Sequence, residues 1–278
     1  MEVTIIGEIG INHNGNLDTA LKLIDQAKWA GFDAVKFQKR NPDYYSDDLY
    51  DSPLFGRVPY REHKRRLELS YNDYIAIDAH CILEGIDWFA SCFDKESVDF
   101  IAQFKPDYWK IASPSFLDHE LVEYIACQEG FVIASTGMCT WQEMNDSVEV
   151  LSRVRRYDEF ALLHCCSQYP TPPEHVNLNF LQTMATFYPC KVGYSSHDAG
   201  VPTPAASVLY GAEIVEVHIT LSRAMPGSDH GVSLEREEME RLVRHIRNNE
   251  LIQGSFEKQF YDEEKRIRAK VATKRANC

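Results

Sequence analysis

The chain has 278 residues, of which 44% are hydrophobic, and this length is compatible with one large core such as that of an α/β barrel. Its formal net charge of −13 argues against nucleic acid or an anionic membrane surface as a partner, because the field of the whole molecule would repel both. The N-terminus has no signal-peptide pattern and no stretch approaches about 20 apolar residues, so we expect a soluble, cytoplasmic protein.

The first two predicted strands are joined by a helix and followed by an unusually long connection. Residues 3–6 form a short β-branched run that leads into Glu8, and residues 17–30 carry apolar positions at helical spacing. The second strand is predicted over 34–37. The segment 39–70 is long for a βα connection and rich in tyrosine, aspartate and charge. Connections of this length are usually lids or binding loops, so we expect one here, with a solvated surface loop as the alternative.

Six further strands follow, separated by helical patterns. The strands are predicted over 86–90, 108–111, 131–134, 160–164, 191–194 and 213–217, and helices over about 71–84, 96–104, 121–127, 141–153, 178–187 and 236–249. Eight strands that alternate with helices are the pattern of a parallel (β/α)8 TIM barrel. We therefore predict an α/β fold with this barrel over residues 1–252, followed by a charged, helical tail over 253–278.

Polar side chains end nearly every predicted strand, although a parallel strand buried on both faces should end in apolar residues unless function requires otherwise. Lys36 and Lys110 each lie within an apolar run, where burying an unpaired ammonium would cost roughly several kcal/mol. Structural ion pairs with Glu8 or Glu216 are one explanation. Binding of a phosphate or carboxylate is the other, and it favours a phosphate-bearing substrate. Hydroxyls and backbone N–H groups would complete the anion site at Ser113, Ser135, Thr136 and Ser195.

Two histidines each follow a short apolar run near the end of the predicted barrel. His197 and His218 lie 21 residues apart, about the length of one strand, helix and strand unit. Such a unit can place both imidazoles at the same end of neighbouring parallel strands. Neutral imidazole nitrogens are suitable ligands for divalent metals, so the pair is a candidate metal site. Read alone, each histidine is also compatible with an ordinary satisfied polar residue.

Short motifs surround these polar strand ends. They are GEIGINHNG at 7–15, AVKFQ at 34–38, WKIAS at 109–113, STGM at 135–138, CCSQYPTP at 165–172, VNL at 176–178, GYSSH at 193–197, EVHIT at 216–220 and PGSDHGVSL at 226–234. Together, and in this order, they resemble the sialic acid synthase (N-acetylneuraminate synthase) family. The resemblance implies condensation of phosphoenolpyruvate with an open-chain aldose, such as N-acetylmannosamine, giving a 3-deoxy 2-keto sugar acid and phosphate.

The resemblance also implies roles for individual residues. His197 and His218 match the family's metal ligands, usually for manganese, with magnesium or another divalent ion as alternatives. With Glu8, which could orient the attacking water, they form the predicted catalytic set. The positions that match phosphoenolpyruvate contacts are Lys36, Lys110, Ser113, Ser135 and Ser195, to which we add Thr136. The positions that match contacts to the aldehyde and the sugar are Gln38, Tyr169 and Asp229.

Two departures from the family pattern affect the sugar side. The family's WKI motif is typically followed by a Gly-Glu pair whose glutamate contacts the sugar, and Pro114 and Ser115 stand there in this chain. We expect Ser115 to take over that contact. We also expect the family's C-terminal antifreeze-like domain to be absent, with the segment 39–70 or the basic tail as a replacement lid. The expected assembly is a homodimer or a higher homo-oligomer.

Two other functions are compatible with the sequence. A metal-dependent aldolase or sugar isomerase of the same barrel class would also use histidines and phosphate-binding strand ends, but it would not need two lysines deep in the barrel. A non-catalytic carbohydrate-binding barrel is the second alternative. The intact Glu8, His197 and His218 argue against loss of catalysis.

Overall fold

Eight parallel strands close into a barrel in this computed structural model, which describes residues 2–276 and the side chains of residues 2–272. The strands are β1 (Thr4–Gly10), β2 (Ala34–Lys39), β3 (Leu49–Ser52), β4 (Gly56–Pro59), β5 (Asp87–Cys92), β6 (Tyr108–Ile111), β7 (Phe131–Ser135), β8 (Phe160–Cys165), β9 (Lys191–Ser196) and β10 (Ile214–His218). The barrel order is β1-β10-β9-β8-β7-β6-β5-β2, and β3 and β4 form a separate antiparallel hairpin. The predicted (β/α)8 barrel is therefore confirmed.

Helices lie between successive barrel strands, and two more follow the last strand, β10. They are α1 (Leu17–Ala30), α2 (Tyr60–Leu67), α3 (Tyr71–Glu84), α4 (Lys95–Ala102), α5 (His119–Ala126), α6 (Trp141–Val154), α7 (Pro173–Val176), α8 (Phe180–Phe187), α9 (Pro202–Ser207), α10 (Arg236–Gln253) and α11 (Asp262–Ala276). Within residues 2–276, no helix combines the length and the apolar character needed to cross a membrane.

Local sequence signals set where the helices begin and end. The side chain of Asn16 accepts the backbone N–H of Thr19 at 2.8 Å and starts α1, while Gly31 ends it with a left-handed φ of 92°. Ser70 and Asp73 form a capping box at the first turn of α3. Such signals fix the residues at which these helices begin and end. Most loops between strands and helices are therefore short.

The barrel interior is apolar in its lower layer and polar in the layer above. Because side chains alternate between the two faces of a strand, positions two apart point to the same side. Apolar interior residues are each followed two positions later by a polar residue in the pairs Ile6 and Glu8, Ala34 and Lys36, Phe89 and Ser91, Ile133 and Ser135, and Ile214 and Glu216. The strand register brings Glu8 beside Lys36 and His218, so the polar layer lies at one level.

The long connection predicted over 39–70 is folded. It contains a short 3-10 turn (Pro42–Tyr44), the hairpin of β3 and β4, and helix α2. The buried ring of His63 holds these parts together, with ring centroids 4.8 Å from Tyr50 and 6.0 Å from Tyr60. The predicted tail contains α11, and all side chains described between residues 251 and 272 are exposed. The tail therefore contributes nothing to the barrel core in the described residues.

Gly193 is an interior position where the barrel leaves no room for a side chain. A Cβ at Gly193 would clash with the carbonyl oxygen of Ile214 and would lie 2.5 Å from Cδ2 of Leu163. We expect Gly193→Ala to lower the free energy of unfolding by about 1–3 kcal/mol, because overpacking forces the backbone of two neighbouring strands apart. Urea unfolding followed by circular dichroism measures this. Gly231→Ala is the control, since nothing lies within 4 Å of its Cβ position. Equal stability of both variants would contradict the prediction.

Candidate active site

One cavity of about 310 Å³ opens at the carboxyl ends of the barrel strands. It brings together most of the residues that the sequence predicted for the site. Those lining it are Glu8, Lys36, Gln38, Lys110, Ser113, Ser135, Tyr169, Ser195, His197, His218 and Asp229. Strands from all around the barrel contribute to this lining, as expected for a barrel whose chemistry lies at that face.

Two predicted residues lie outside this lining. The hydroxyl of Thr136 donates to the carbonyl oxygen of Leu163 at 3.1 Å, so it is engaged with the backbone of β8. Ser115 is buried in a short 3-10 turn, where its N–H donates to the carbonyl of Ala112 at 2.9 Å. Its neighbour Pro114 lines the cavity instead. Ser115 and Thr136 therefore remain predicted ligand contacts, although neither of them lines the cavity.

Glu8, Lys36, Lys110 and Glu216 form a buried charge cluster at the floor of the cavity. Lys36 Nζ lies 2.6 Å from Glu8 Oε2 and 3.5 Å from Glu216 Oε1, and it donates to Ser91 Oγ at 2.8 Å. Burial opposes the charge of Lys36, but Glu216 and Glu8 outweigh it and raise its pKa. Burial raises the pKa of Glu8 despite the lysine beside it. A buried carboxyl group with a raised pKa is suited to accept and return a proton.

The ammonium group of Lys110 has weaker ion pairing than that of Lys36. Its Nζ donates to Ser135 Oγ at 2.6 Å and to the carbonyl of Ile111 at 3.2 Å, while Glu216 Oε2 lies 3.9 Å away, beyond hydrogen-bond distance. An ammonium group has three donors, so Lys110 keeps one for a ligand. Burial lowers its pKa. Burial opposes the ionised form of Glu216, but Lys110 and Lys36 outweigh it and lower its pKa. The structural ion pairs considered from the sequence are thus present, and they leave Lys110 partly available.

The serine hydroxyls lie beside the lysines because a glycine lets two loops approach. Ser113 Oγ accepts the N–H of Gly137 at 3.1 Å. A Cβ at Gly137 would lie 2.5 Å from Ser167 Oγ and 2.7 Å from Ser113 Oγ. On the opposite side, Ser195 Oγ lies 3.4 Å from Glu216 Oε1. The hydroxyls and N–H groups at this wall can donate to the oxygens of an anion.

The two predicted metal ligands face each other across the other wall, with ring centroids 5.4 Å apart. His197 Nδ1 lies 2.8 Å from the carbonyl oxygen of Cys166 and must donate to it, because a carbonyl only accepts. In the neutral ring this leaves the lone pair on Nε2, which accepts the hydroxyl of Tyr169 at 2.7 Å. A backbone carbonyl that fixes the tautomer is the usual support of a metal-binding histidine.

His218 has a buried nitrogen without a partner. Among the described residues, Nδ1 of His218 makes no hydrogen bond, and the nearest carboxylate oxygen, Asp229 Oδ2, lies 3.9 Å away. Burial lowers the pKa of His218 to about 4, so the ring is neutral at pH 7. Orphaned buried nitrogens are costly and rare unless something binds them. Two facing imidazoles, of which that of His218 is neutral, and a nearby carboxylate therefore fit a divalent cation by chemistry.

A compact group of potential metal ligands lies elsewhere on the surface. The side chains of Asp25, His80 and Glu84 place one ligand atom each within 4.8 Å of one another on α1 and α3. His80 Nε2 is already paired with Asp25 Oδ1 at 2.6 Å. Asp25 and Glu84 are exposed, and exposed groups of this kind are common without a metal. None of these three residues lines the cavity.

Several lining residues were not among the predicted binding or catalytic residues. The period of two along their strands could have predicted that Glu216 and Ser91 face the cavity, and Arg40 is the first residue after β2. Lys64 lies on α2, inside the long connection, and reaches the cavity from there. The length of the segment 39–70 predicted a lid or binding loop, but no pattern in the sequence singled out Lys64 within it, so only the three-dimensional structure reveals this residue.

Comparison with known proteins identifies the family. A model described as the NeuB family matches residues 23–258. The chain belongs to the NeuB family. The predicted family resemblance and the predicted class of enzyme, a sialic acid-type synthase, are thereby confirmed.

Relatives of known name share this NeuB barrel. The chain is 35% identical to N,N'-diacetyllegionaminic acid synthase of Legionella pneumophila over 283 residues, which cover 98% of this chain and 79% of the relative. It is 38% identical to N-acetylneuraminate-9-phosphate synthase of Drosophila melanogaster over 90% of this chain and 68% of the relative. The crystal structure of N-acetylneuraminic acid synthetase from Leptospira borgpetersenii, in complex with citrate, superposes with a TM-score of 0.86 at 29% identity, covering 96% of this chain and 90% of that one.

We expect Lys36→Met to lower the free energy of unfolding by about 3–5 kcal/mol, because it leaves the buried carboxylate of Glu8 without a counter-charge and Glu216 with only Lys110 at 3.9 Å. Urea unfolding measures the loss. Combining Lys36→Met with Glu8→Gln should recover part of it, since the unpaired charge of Glu8 is then removed. A single variant as stable as the unmodified protein, or a double variant whose losses add, would contradict the pairing.

Proposed function

We propose that this protein condenses phosphoenolpyruvate with the open-chain form of an aldose, N-acetylmannosamine or a related sugar, to give a 3-deoxy 2-keto sugar acid and phosphate. One observation carries the proposal: a single cavity holds two buried ammonium groups with serine hydroxyls on one wall and two facing imidazoles on the other. The names of the relatives, which are synthases of sialic and legionaminic acids, support the same reaction class.

Phosphoenolpyruvate would occupy the wall that carries the lysines. The phosphate and carboxylate oxygens would accept hydrogen bonds from Lys110, Ser113, Ser135 and Ser195, with Lys36 next to them. The four formal charges of the charge cluster cancel, so the substrate's anionic groups would compete with Glu8 and Glu216 for the lysines. That competition releases Glu8 from Lys36 only when substrate is bound, which suits a group that must then handle a proton.

His197 and His218 would hold a divalent ion, for which we favour manganese, with magnesium or another ion as alternatives. When bound, such an ion polarises the aldehyde of the acceptor as a Lewis acid. Asp229 would assist from its position near His218. Tyr169 would then have to release Nε2 of His197 and turn its hydroxyl to the sugar.

The chain's own residues account for the remaining chemistry. Carbon 3 of the enol would attack the aldehyde carbon, so that the C2=C3 double bond supplies the electron pair of the new C–C bond and the aldehyde oxygen becomes an alkoxide. Water would add to carbon 2 and give one proton to Glu8, which Gln38 holds through a 2.8 Å hydrogen bond and which would pass that proton to the alkoxide. The bond between carbon 2 and the phosphate oxygen would then break, and the proton of the new hydroxyl would leave with the phosphate as the keto group forms. Lys36 and Lys110 stabilise the charge on the departing phosphate.

We expect phosphate release from phosphoenolpyruvate to require both an aldose and a divalent metal. His218→Ala should lower kcat by at least about a hundredfold, because loss of Lewis-acid polarisation is worth several kcal/mol. Phosphate release measured with Mn²⁺ and a panel of aldoses tests this. His80→Ala is the matched control, since it disrupts the surface group on α1 and α3 and should leave the metal dependence unchanged. Absence of phosphate release with every acceptor, or full activity in metal-chelated protein, would overturn the proposal.

Residues 1–252 would form the catalytic unit, and the tail over 253–278 would be dispensable for folding. The exposure of every described side chain from 251 to 272 supports this division. We expect a chain truncated after Gly254 to keep its melting temperature within about 2 °C, because all the side chains described beyond that point, up to residue 272, are exposed. Calorimetry measures this, and a lower melting temperature would assign the tail a structural role. Cytoplasmic location and assembly into a homodimer or larger homo-oligomer remain predictions from the sequence.

A further inference from the structure

Two cations at the mouth of the cavity are not explained by the reaction above. Arg40, only 6% exposed, follows β2 and lies with its guanidinium carbon 4.6 Å from the ring centroid of Phe93. Lys64 reaches the mouth from α2, with Nζ 4.9 Å from the ring centroid of Tyr60. Both line the same cavity as the charge cluster. They are called the mouth cations below.

The mouth cations have too little negative charge around them. Glu68 lies 3.3 Å from Arg40 Nε, but it is shared with Lys39, whose Nζ is only 2.7 Å away. Within the described part of the chain, Lys64 has no carboxylate within 4.0 Å and makes no hydrogen bond. Burial and then the charge of Arg40 lower the pKa of Lys64 to about 8. An anion bound between the mouth cations would relieve both effects.

The mouth cations lie on the sugar side of the cavity. Arg40 donates to the amide oxygen of Gln38, whose amide nitrogen in turn donates to Glu8. Asp229 is a carboxylate whose charge acts on Lys64. Gln38 and Asp229 are positions that the family resemblance relates to the sugar. Of the residues proposed to contact phosphoenolpyruvate, Lys110, Ser113 and Ser135 lie on or directly after β6 and β7, which are separated from β2 by β5 in the barrel. Lys36, which lies on β2 itself, is the proposed phosphoenolpyruvate contact that is shared with the side of the mouth cations.

We propose that Lys64, with Arg40, binds an oxyanion carried by the acceptor sugar at the end distant from its aldehyde, so that the preferred acceptor is a phosphorylated aldose. The proposal rests on the proposed condensation and adds the substrate class of the same site. Lysine supplies a compact positive charge, and arginine supplies a planar set of donors that matches two oxygens of a phosphate. A carboxylate or phosphate of phosphoenolpyruvate offers the same chemistry, and the experiment separates the two sources.

The test compares N-acetylmannosamine with N-acetylmannosamine 6-phosphate as acceptors at saturating phosphoenolpyruvate. We expect the unmodified protein to have the higher kcat/KM with the phosphorylated sugar. In Lys64→Met the ratio of the two kcat/KM values should fall at least tenfold, through KM of the sugar phosphate, while KM of phosphoenolpyruvate changes less than twofold. Arg65→Met, one position along α2, removes an exposed cation that pairs with Glu62 and Asp43, and it should leave the ratio unchanged.

A binding measurement makes the result independent of turnover. Calorimetric titration with N-acetylmannosamine 6-phosphate alone should show at least tenfold weaker binding to Lys64→Met than to the unmodified protein or Arg65→Met. If turnover fails with both sugars but binding depends on Lys64, the subsite stands and the proposed reaction falls. Three results would overturn the subsite. The first is turnover in which Lys64→Met leaves the ratio of the two kcat/KM values unchanged, and the second is a loss of activity that appears only in KM of phosphoenolpyruvate. The third is binding of the sugar phosphate that is equal in, or absent from, the unmodified protein, Lys64→Met and Arg65→Met.

Discussion

The charge cluster at the floor of the cavity constrains the rest of this barrel, because it is stable only with one strand register. Its ammonium and carboxylate groups are withdrawn from water, so each is tolerated only while its partners stay in place. Keeping them together requires a strand register that brings Glu8 level with Lys36, and a closed barrel that holds that register. Stability is thereby tied to the groups that an anionic substrate must engage, which is a common tension at active sites.

Much of the fold and part of the site could be predicted from the sequence. Buried parallel strands could be predicted because they are short apolar runs in the sequence. A polar residue two positions after an interior apolar one, as Lys36 is after Ala34, predicts which side chains face the mouth of the barrel. The direction of a side chain just beyond a strand could not be predicted. Thr136 turns to the backbone and Ser115 is buried in a turn because local hydrogen bonds decide there. The role of Lys64 in lining the cavity could not be predicted for another reason, since the position of this residue depends on the tertiary packing of the long connection.

The histidine wall shows how backbone groups prepare side chains for a ligand. The carbonyl of Cys166 selects the tautomer of His197, and the enclosing barrel keeps His218 neutral with an unpaired nitrogen. Burial is the largest cause of the lowered pKa of His218, and the charges around it contribute less. The two walls of the cavity therefore differ: one is built from opposed charges, and the other from imidazoles held by the backbone and by burial, with one nitrogen of His218 left without a partner among the described residues.

The ion pair between Lys39 and Glu68 has a consequence for how the enzyme could change over evolution. It joins the two ends of the connection that carries the hairpin and α2, with Nζ and Oε2 only 2.7 Å apart. A segment whose ends are fastened together can be exchanged without altering the path of the chain on either side. Acceptor choice could then be rewritten by grafting this insert between family members, while the catalytic floor beneath it is inherited unchanged.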